Sequence, residues 1–319
     1  MSMPGVNKKT VVISVIFMTL MVIEIALRFF MGNLAVPYKI NPGDGRCIGL
    51  VPDASLKYTG WYRRVPPVIH DANGFGYRGP SYPRERRPGT FRIAVLGDSF
   101  AYGMGVNREC ALPAFVERYL SQGGATRDVE VLNFGIPGIN LEESVEQYKF
   151  FASNWHPDLV VLLLVENDLE ASLCSRYKCP LVAGLFKHVY LLRTVYLVYR
   201  VHVPEKSGPP EKNGLPERLL SALEELQALA RQNGARTVLV VLGSPLPEAG
   251  ALQSITEKLE LPTLAPGRRF WRDIAEVIPF EGHLTCRGNQ AVAGVISQWL
   301  SAEGLISVTP NPAGGTEDK

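Results

Sequence analysis

The chain has 319 residues, a net charge of +2 and 46% hydrophobic residues. That length holds one large domain with appendages, and balanced charge without a Lys/Arg run interleaved with aromatics excludes nucleic-acid binding. Neither the five cysteines nor His70, His156, His188 and His202 show metal-ligand spacing, so no metal and no cofactor are expected. Those histidines read as surface or capping residues.

Residues 1–9 form a short N-terminus carrying Lys8 and Lys9, and residues 10–31 are apolar apart from Glu24 and Arg28. The stretch is long enough to span a bilayer. Its Val, Ile, Leu and Phe residues, at about −0.3 to −0.6 kcal/mol each, outweigh one Glu at roughly +3 kcal/mol. Glu24 and Arg28 stand four apart and can pair on one helix face. The preceding lysines place the N-terminus in the cytoplasm and the body outside, in the periplasm of a Gram-negative cell. A cleaved signal peptide is the competing reading, but Asn33-Leu34-Ala35 is a poor cleavage site.

Residues 32–90 read as an extended collar rich in Pro, Gly, Tyr and Arg, with a turn at His70-Asp71-Ala72-Asn73-Gly74. It spaces the body from the membrane; the alternative is that Tyr62, Arg63 or Tyr77 lines a substrate groove. The basic cluster 84–87 reads as a solvated loop. Strands and helices then alternate over 91–302, which predicts a parallel sheet with helices on both faces. A buried strand over 92–96 stops at Gly97-Asp98-Ser99 and leads to a helix over 111–120. A second strand, 128–132, ends in Asn133-Phe134-Gly135-Ile136-Pro137-Gly138, followed by a helix over 141–154. A third, 159–164, ends in Val165-Glu166-Asn167-Asp168.

An insertion over 172–213 follows, with an apolar and aromatic stretch at 181–203. It reads as a helix packed on the core, a lid, or a membrane-facing element with Lys187, Arg193 and Arg200 toward headgroups. A helix over 216–233 leads to a fourth strand, 237–242, and a fifth is expected over 274–278. Glu281-Gly282-His283-Leu284-Thr285 then precedes a helix over 288–300, and residues 303–319 read as a disordered tail. Cys174 and Cys179 are close enough for a small disulfide loop; Cys47, Cys110 and Cys286 have no obvious partner.

Ser99 therefore sits at the carboxyl edge of the sheet, where open α/β folds bind ligands. A serine becomes a nucleophile when an imidazole takes its proton and a carboxylate orients that imidazole. His283 fits the base and Glu281 the acid. Oxyanion donors are available from the glycine-bearing loop after the second strand and from the Asn167 side chain.

Gly-Asp-Ser-Phe, Asn-x-Gly-x-x-Gly, Asn-Asp and Gly-His-Leu-Thr, in this order, resemble the SGNH (GDSL) hydrolase superfamily over roughly two-thirds of the chain. The resemblance implies a three-layer α/β/α, flavodoxin-like parallel sheet, here with an N-terminal transmembrane helix. It implies Ser99 as nucleophile, His283 as base, and Ser99, Gly138 and Asn167 as the oxyanion hole, with Gly97 and Asp98 in support. Three positions depart from the pattern. Phe280 stands where many members carry the acid three residues before the histidine, Glu281 replaces the Asp found in others two before it, and Val165 stands where a glycine is common.

The activity so implied is hydrolysis of acyl esters through an acyl-enzyme, with O-acetylated cell-envelope or secreted polysaccharide as the expected substrate outside the cytoplasm. Two alternatives stand beside it. One is an O-acyltransferase on the same triad, and the other a non-catalytic polysaccharide-binding or assembly protein on a degenerate hydrolase fold. The expected partners are the ester substrate and, through the N-terminal helix, the membrane.

Overall fold

The computed structural model describes residues 8–30, 36–40, 42–59, 66–123, 125–169, 191–192, 195, 214–243, 250–278 and 282–307. Helix α1 (Lys8–Phe30) opens the chain, and its segment Val11–Phe29 is long and apolar enough to cross a membrane and is not buried inside the protein. Arg28 Nε donates to Glu24 Oε1 at 2.9 Å, and Leu191 N donates to Glu24 Oε2 at 2.8 Å. Apart from Leu191, Leu192 and Val195, the insertion lies outside the described residues, as do Tyr62, Arg63, Cys174, Cys179 and residues 308–319. The start of the tail expected over 303–319 is ordered, with Leu305 and Ile306 buried in the core and Thr126 N donating to Ser307 O at 3.1 Å.

Two short antiparallel pairs follow: β1 (Tyr38–Ile40) with β2 (Ile48–Leu50), and β3 (Ser55–Tyr58) with β4 (Val68–Asp71). The main sheet has five parallel strands: β5 (Thr90–Leu96), β6 (Asp128–Asn133), β7 (Leu159–Val165), β8 (Arg236–Leu242) and β9 (Thr263–Leu264). Their order is β6-β5-β7-β8-β9, which counted from β5 is the flavodoxin-like 2-1-3-4-5. β5 and β7 are apolar almost throughout because helices cover both faces of the sheet. Alternate residues serve opposite sides. Ala94, Leu96, Val160, Leu162 and Leu164 face one core, and Ile93, Val95, Val161 and Leu163 face the other.

The first core is closed by α4 (Leu141–Phe150), α5 (Leu215–Gln232) and α6 (Ala251–Lys258), the second by α3 (Leu112–Gln122) and α8 (Cys286–Ala302). The result is a three-layer α/β/α body. An Asn140–Glu143 capping box starts α4, satisfying two N-terminal donors reciprocally. The helix expected to reach residue 154 stops at Phe150: Phe151 leaves helical geometry at φ −136°, and a 3₁₀ turn over Ala152–Trp155 brings the Trp155 ring into the core.

Other expectations are corrected too. The fifth strand is β9, not 274–278. The apolar spacing there belongs to α7 (Arg268–Ile274) and the turn after it, with Trp271 buried and its Nε1 donating to Val241 O at 2.7 Å. Val277 makes only an isolated bridge with Leu284. Cys110 and Cys286 are partners, joined by a disulfide across 176 residues, a pairing that only the packing of α8 against α3 creates. Cys47 is also disulfide-bonded. His70 is fully buried, stacked on Tyr58 at 4.3 Å and accepting from Gly105 N at 3.2 Å, because β4 packs beneath the segment after Ser99. Tyr77 does not line a groove; it is buried against Phe134 and Trp155.

Residues before β5 are thus woven into the body. Trp155 Nε1 donates to Tyr82 O at 2.9 Å. Arg92, fully buried, pairs with Glu130 at 2.7 Å and donates to the carbonyls of Pro83, Arg84 and Trp155. A fragment starting at Phe91 leaves Arg92 without the Pro83 and Arg84 acceptors and empties the Tyr77 site. Unpaired buried polar groups cost about 1–3 kcal/mol each, and loss of a large core aromatic about 3–5 kcal/mol. The expected outcome is no cooperative thermal melt by circular dichroism for that fragment, against a cooperative melt for one starting at Val36.

Candidate active site

β5 and β7 lie side by side, and the chain leaves them toward opposite edges of the sheet, β5 to β6 and β7 to β8. This reversal opens a crevice at their carboxyl ends. Gly97 makes the turn out of β5 at φ +140°, and a Cβ there would lie 2.7 Å from Leu163 O, so the close approach of β5 to β7 admits only glycine. Ser99 is the first residue of the short helix α2 (Ser99–Tyr102), where backbone N–H groups have no intrahelical acceptor.

Asp98 organises the crevice. Its Oδ1 caps α2 by accepting from Phe100 N at 2.9 Å. Its Oδ2 accepts from Ser99 Oγ at 3.1 Å and from Asn167 Nδ2 at 3.0 Å. One buried carboxylate therefore brings together the hydroxyl from the end of β5 and the amide from the end of β7. His283 arrives from the other end of the chain, with Nε2 2.9 Å from Ser99 Oγ. Its ring also stands 5.4 Å from that of Phe100. The serine has one proton and two acceptors in reach. The arrangement competent for attack is the one in which the hydroxyl donates to a neutral His283 Nε2.

The loop after β6 is laced to the same segment. Ile136 N donates to Gly97 O at 3.1 Å, and Asn133 Nδ2 to Tyr102 O at 3.3 Å. A Cβ on Gly135 would fall 2.3 Å from Tyr102 N, so this glycine lets the loop lie flat on α2. Gly138, at φ +83°, sits exposed beyond it. Of the residues expected to act together, Ser99, Asp98, Asn167 and His283 meet directly, and Gly97 and Gly138 are on the loops that frame them. Glu281 lies outside the described residues. Among the described residues no group of three His, Cys, Asp or Glu could hold a metal ion.

Sequence alone assigns no role to two further contributors. Arg78, buried, donates to the carbonyls of Tyr102, Gly103 and Val106, holding the segment after α2 from beneath. Nothing in its local sequence marks it. Asp168, next to Asn167, is buried beneath the site and its Oδ2 accepts from Val165 N at 2.8 Å. Burial and then the Asp98 charge push its carboxyl well above the usual range. Its place beside Asn167 at a strand end was the available signal.

No family model matches the chain, and no curated protein matches it. Solved structures do. The chain is similar to a lipase/acylhydrolase from Enterococcus faecalis, with 14% identity and a TM-score of 0.44, covering 69% of this chain and 100% of that one. It is similar to a lipolytic protein of the G-D-S-L family from Desulfitobacterium hafniense, with 14% identity, a TM-score of 0.38, and 66% and 99% covered. A two-domain esterase active on acetylated mannans matches with 18% identity and a TM-score of 0.44, over 70% of this chain and 52% of that one.

The folded chain keeps a proton on Asp168 that the unfolded chain releases from about pH 4. Binding more protons when folded makes stability fall as pH rises from there toward the folded pKa. Asp168→Asn, neutral at every pH, is expected to flatten that decline. Thermal melts of both proteins from pH 4 to 8 check it; parallel curves would refute the assignment.

Proposed function

We propose that the chain is a serine hydrolase of acyl esters, carried outside the cytoplasm on its N-terminal helix. The observation that carries this reading is the 2.9 Å contact between Ser99 Oγ and His283 Nε2 at the carboxyl edge of the sheet. In the mechanism, Ser99 Oγ attacks the ester carbonyl as its proton passes to His283. The negative charge that develops on the carbonyl oxygen is met by the N–H groups of Ser99 and Gly138 and by the Asn167 amide. Asn167 is pre-aimed by Asp98, so little reorganisation is needed when charge appears. The imidazolium returns its proton to the leaving alcohol, an acyl-serine remains, and water activated by His283 releases the acid.

Glu281 is proposed as the carboxylate that orients His283. A glutamate is one methylene longer than aspartate and can reach an imidazole two residues on. The apolar α1 and the disulfides support an extracytoplasmic body, since cystines persist in oxidising compartments. O-acetylated polysaccharide is the proposed substrate class, in keeping with the acetylated mannans on which one similar structure acts.

The test is labelling by a fluorophosphonate probe together with hydrolysis of p-nitrophenyl acetate, on the full chain in detergent. Wild type is expected to label, and Ser99→Ala to lose both label and activity. His283→Ala should lower kcat by on the order of 10³ or more, and Asn167→Ala by roughly 10²–10³. Acetate release from acetylated oligosaccharide then tests the substrate class. A wild type that melts cooperatively yet neither labels nor hydrolyses would refute the hydrolase reading.

A further inference from the structure

His283 and Ser99 come from distant parts of the chain, and they meet through core packing and one covalent link. His283 lies on a turn between α7 and α8 whose backbone hydrogen bonds are internal: Ile278 N to His283 O, Gly282 N to Ile278 O, and Thr285 N to Glu276 O. Among the described residues these backbone bonds give the turn its shape, and apolar packing of Ile278 on Met104 and Gly105 sets it beside the Ser99 segment. Thr285 then caps α8 through Gly288 N at 3.0 Å, and Cys286 is the first residue of that helix.

The Ser99 side is braced on its own. Gly103 N and Met104 N both donate to Ser99 O, at 3.0 and 2.9 Å, and Arg78 holds the carbonyls of Tyr102, Gly103 and Val106. This segment ends in the 3₁₀ turn Arg108–Cys110. The Cys110–Cys286 bond therefore joins the end of the nucleophile segment to the residue that follows His283-Leu284-Thr285, with Cα atoms 4.9 Å apart. Two elements that pack on one another thus share a covalent link close to both reacting groups.

We infer that the Cys110–Cys286 cystine is a positioning element: it sets His283 against Ser99 and makes the site competent only in the oxidised chain. The effect on turnover rests on the hydrolase reading; the effect on the Ser99–His283 contact does not. Closing the cystine removes two electrons and two protons from the two thiols. Thiol–disulfide exchange passes them to a disulfide oxidant of the extracytoplasmic compartment, which is reduced to a dithiol. The site would thus assemble only after export.

The experiment uses the full chain in detergent as oxidised wild type, Cys110→Ala/Cys286→Ala, and Cys47→Ala as a control for loss of another cystine. Each is prepared with and without Ser99→Ala. Steady-state hydrolysis gives kcat and KM. Deuterium exchange at the imidazole carbon, read by mass spectrometry, gives the His283 pKa without any turnover.

In oxidised wild type, Ser99→Ala is expected to move the His283 pKa. In the double cysteine variant it should no longer do so, while kcat falls at least tenfold and KM stays within twofold. Cys47→Ala should behave as wild type. Where the double variant fails to melt cooperatively, folded wild type reduced by dithiothreitol, which leaves as its cyclic disulfide, takes its place, with alkylation confirming that Cys110 and Cys286 are free thiols.

A reduced or doubly substituted protein that keeps both the Ser99→Ala shift and kcat within twofold would overturn the proposal, as would an equal loss in Cys47→Ala. If oxidised wild type neither hydrolyses nor labels, the hydrolase reading fails, and the pKa coupling still decides whether the cystine positions the pair.

Discussion

Asp98 accepts three hydrogen bonds, from Phe100 N, Ser99 Oγ and Asn167 Nδ2, and the site is built around that convergence. Its donors come from the ends of two adjacent strands, so the carboxylate can gather them only where β5 and β7 run parallel and in register. That register is set by the apolar cores on both faces, since a one-residue slip would exchange the residues facing each. The constraint runs in both directions. A buried carboxylate needs donors to offset its desolvation, and those donors are then held together at one point of the crevice.

The same logic of satisfying buried charge explains why residues before β5 cannot be a passive spacer. Arg78 and Arg92 carry guanidinium groups into the interior, where each is tolerated only with several acceptors. Arg92 finds Glu130 and the carbonyls of Pro83, Arg84, Glu85 and Trp155; Arg78 finds the carbonyls of Tyr102, Gly103 and Val106 and stacks over Tyr102, with its carbon Cζ 4.4 Å from the ring centroid. Burial pulls the Arg78 pKa below its ordinary value, a sign of how far that charge has been taken from water. The segment that a composition-based reading treats as a collar is thereby a support for the site.

The sheet's four long strands and the helices α3, α4, α5 and α8 were legible because their signals are local, whereas α6 was not. A run such as Leu159–Val165 is apolar at every position, and a Gly-Asp-Ser or Asn-Asp group stops it abruptly. That Ser99, Asp98, Asn167 and His283 stand at one edge was legible for the same reason: each follows a strand end or precedes a helix, and four such groups in order resemble one family. The strand expected over 274–278 is absent because a short apolar cluster has no period of its own. It serves equally as the packed side of a helix and turn.

By itself the sequence determined where strands stop, which side chains stand at those stops, and which segment is apolar enough to meet a bilayer. These depend on neighbours a few residues away. The tertiary structure decided that Asp98 holds Ser99 and Asn167 together, that His70, Tyr77 and Arg78 lie inside, and that Cys110 meets Cys286. Each of these joins residues from separate elements. The free energy that brings them together is the burial of two apolar cores against one sheet, which is a property of the whole chain and of no segment within it.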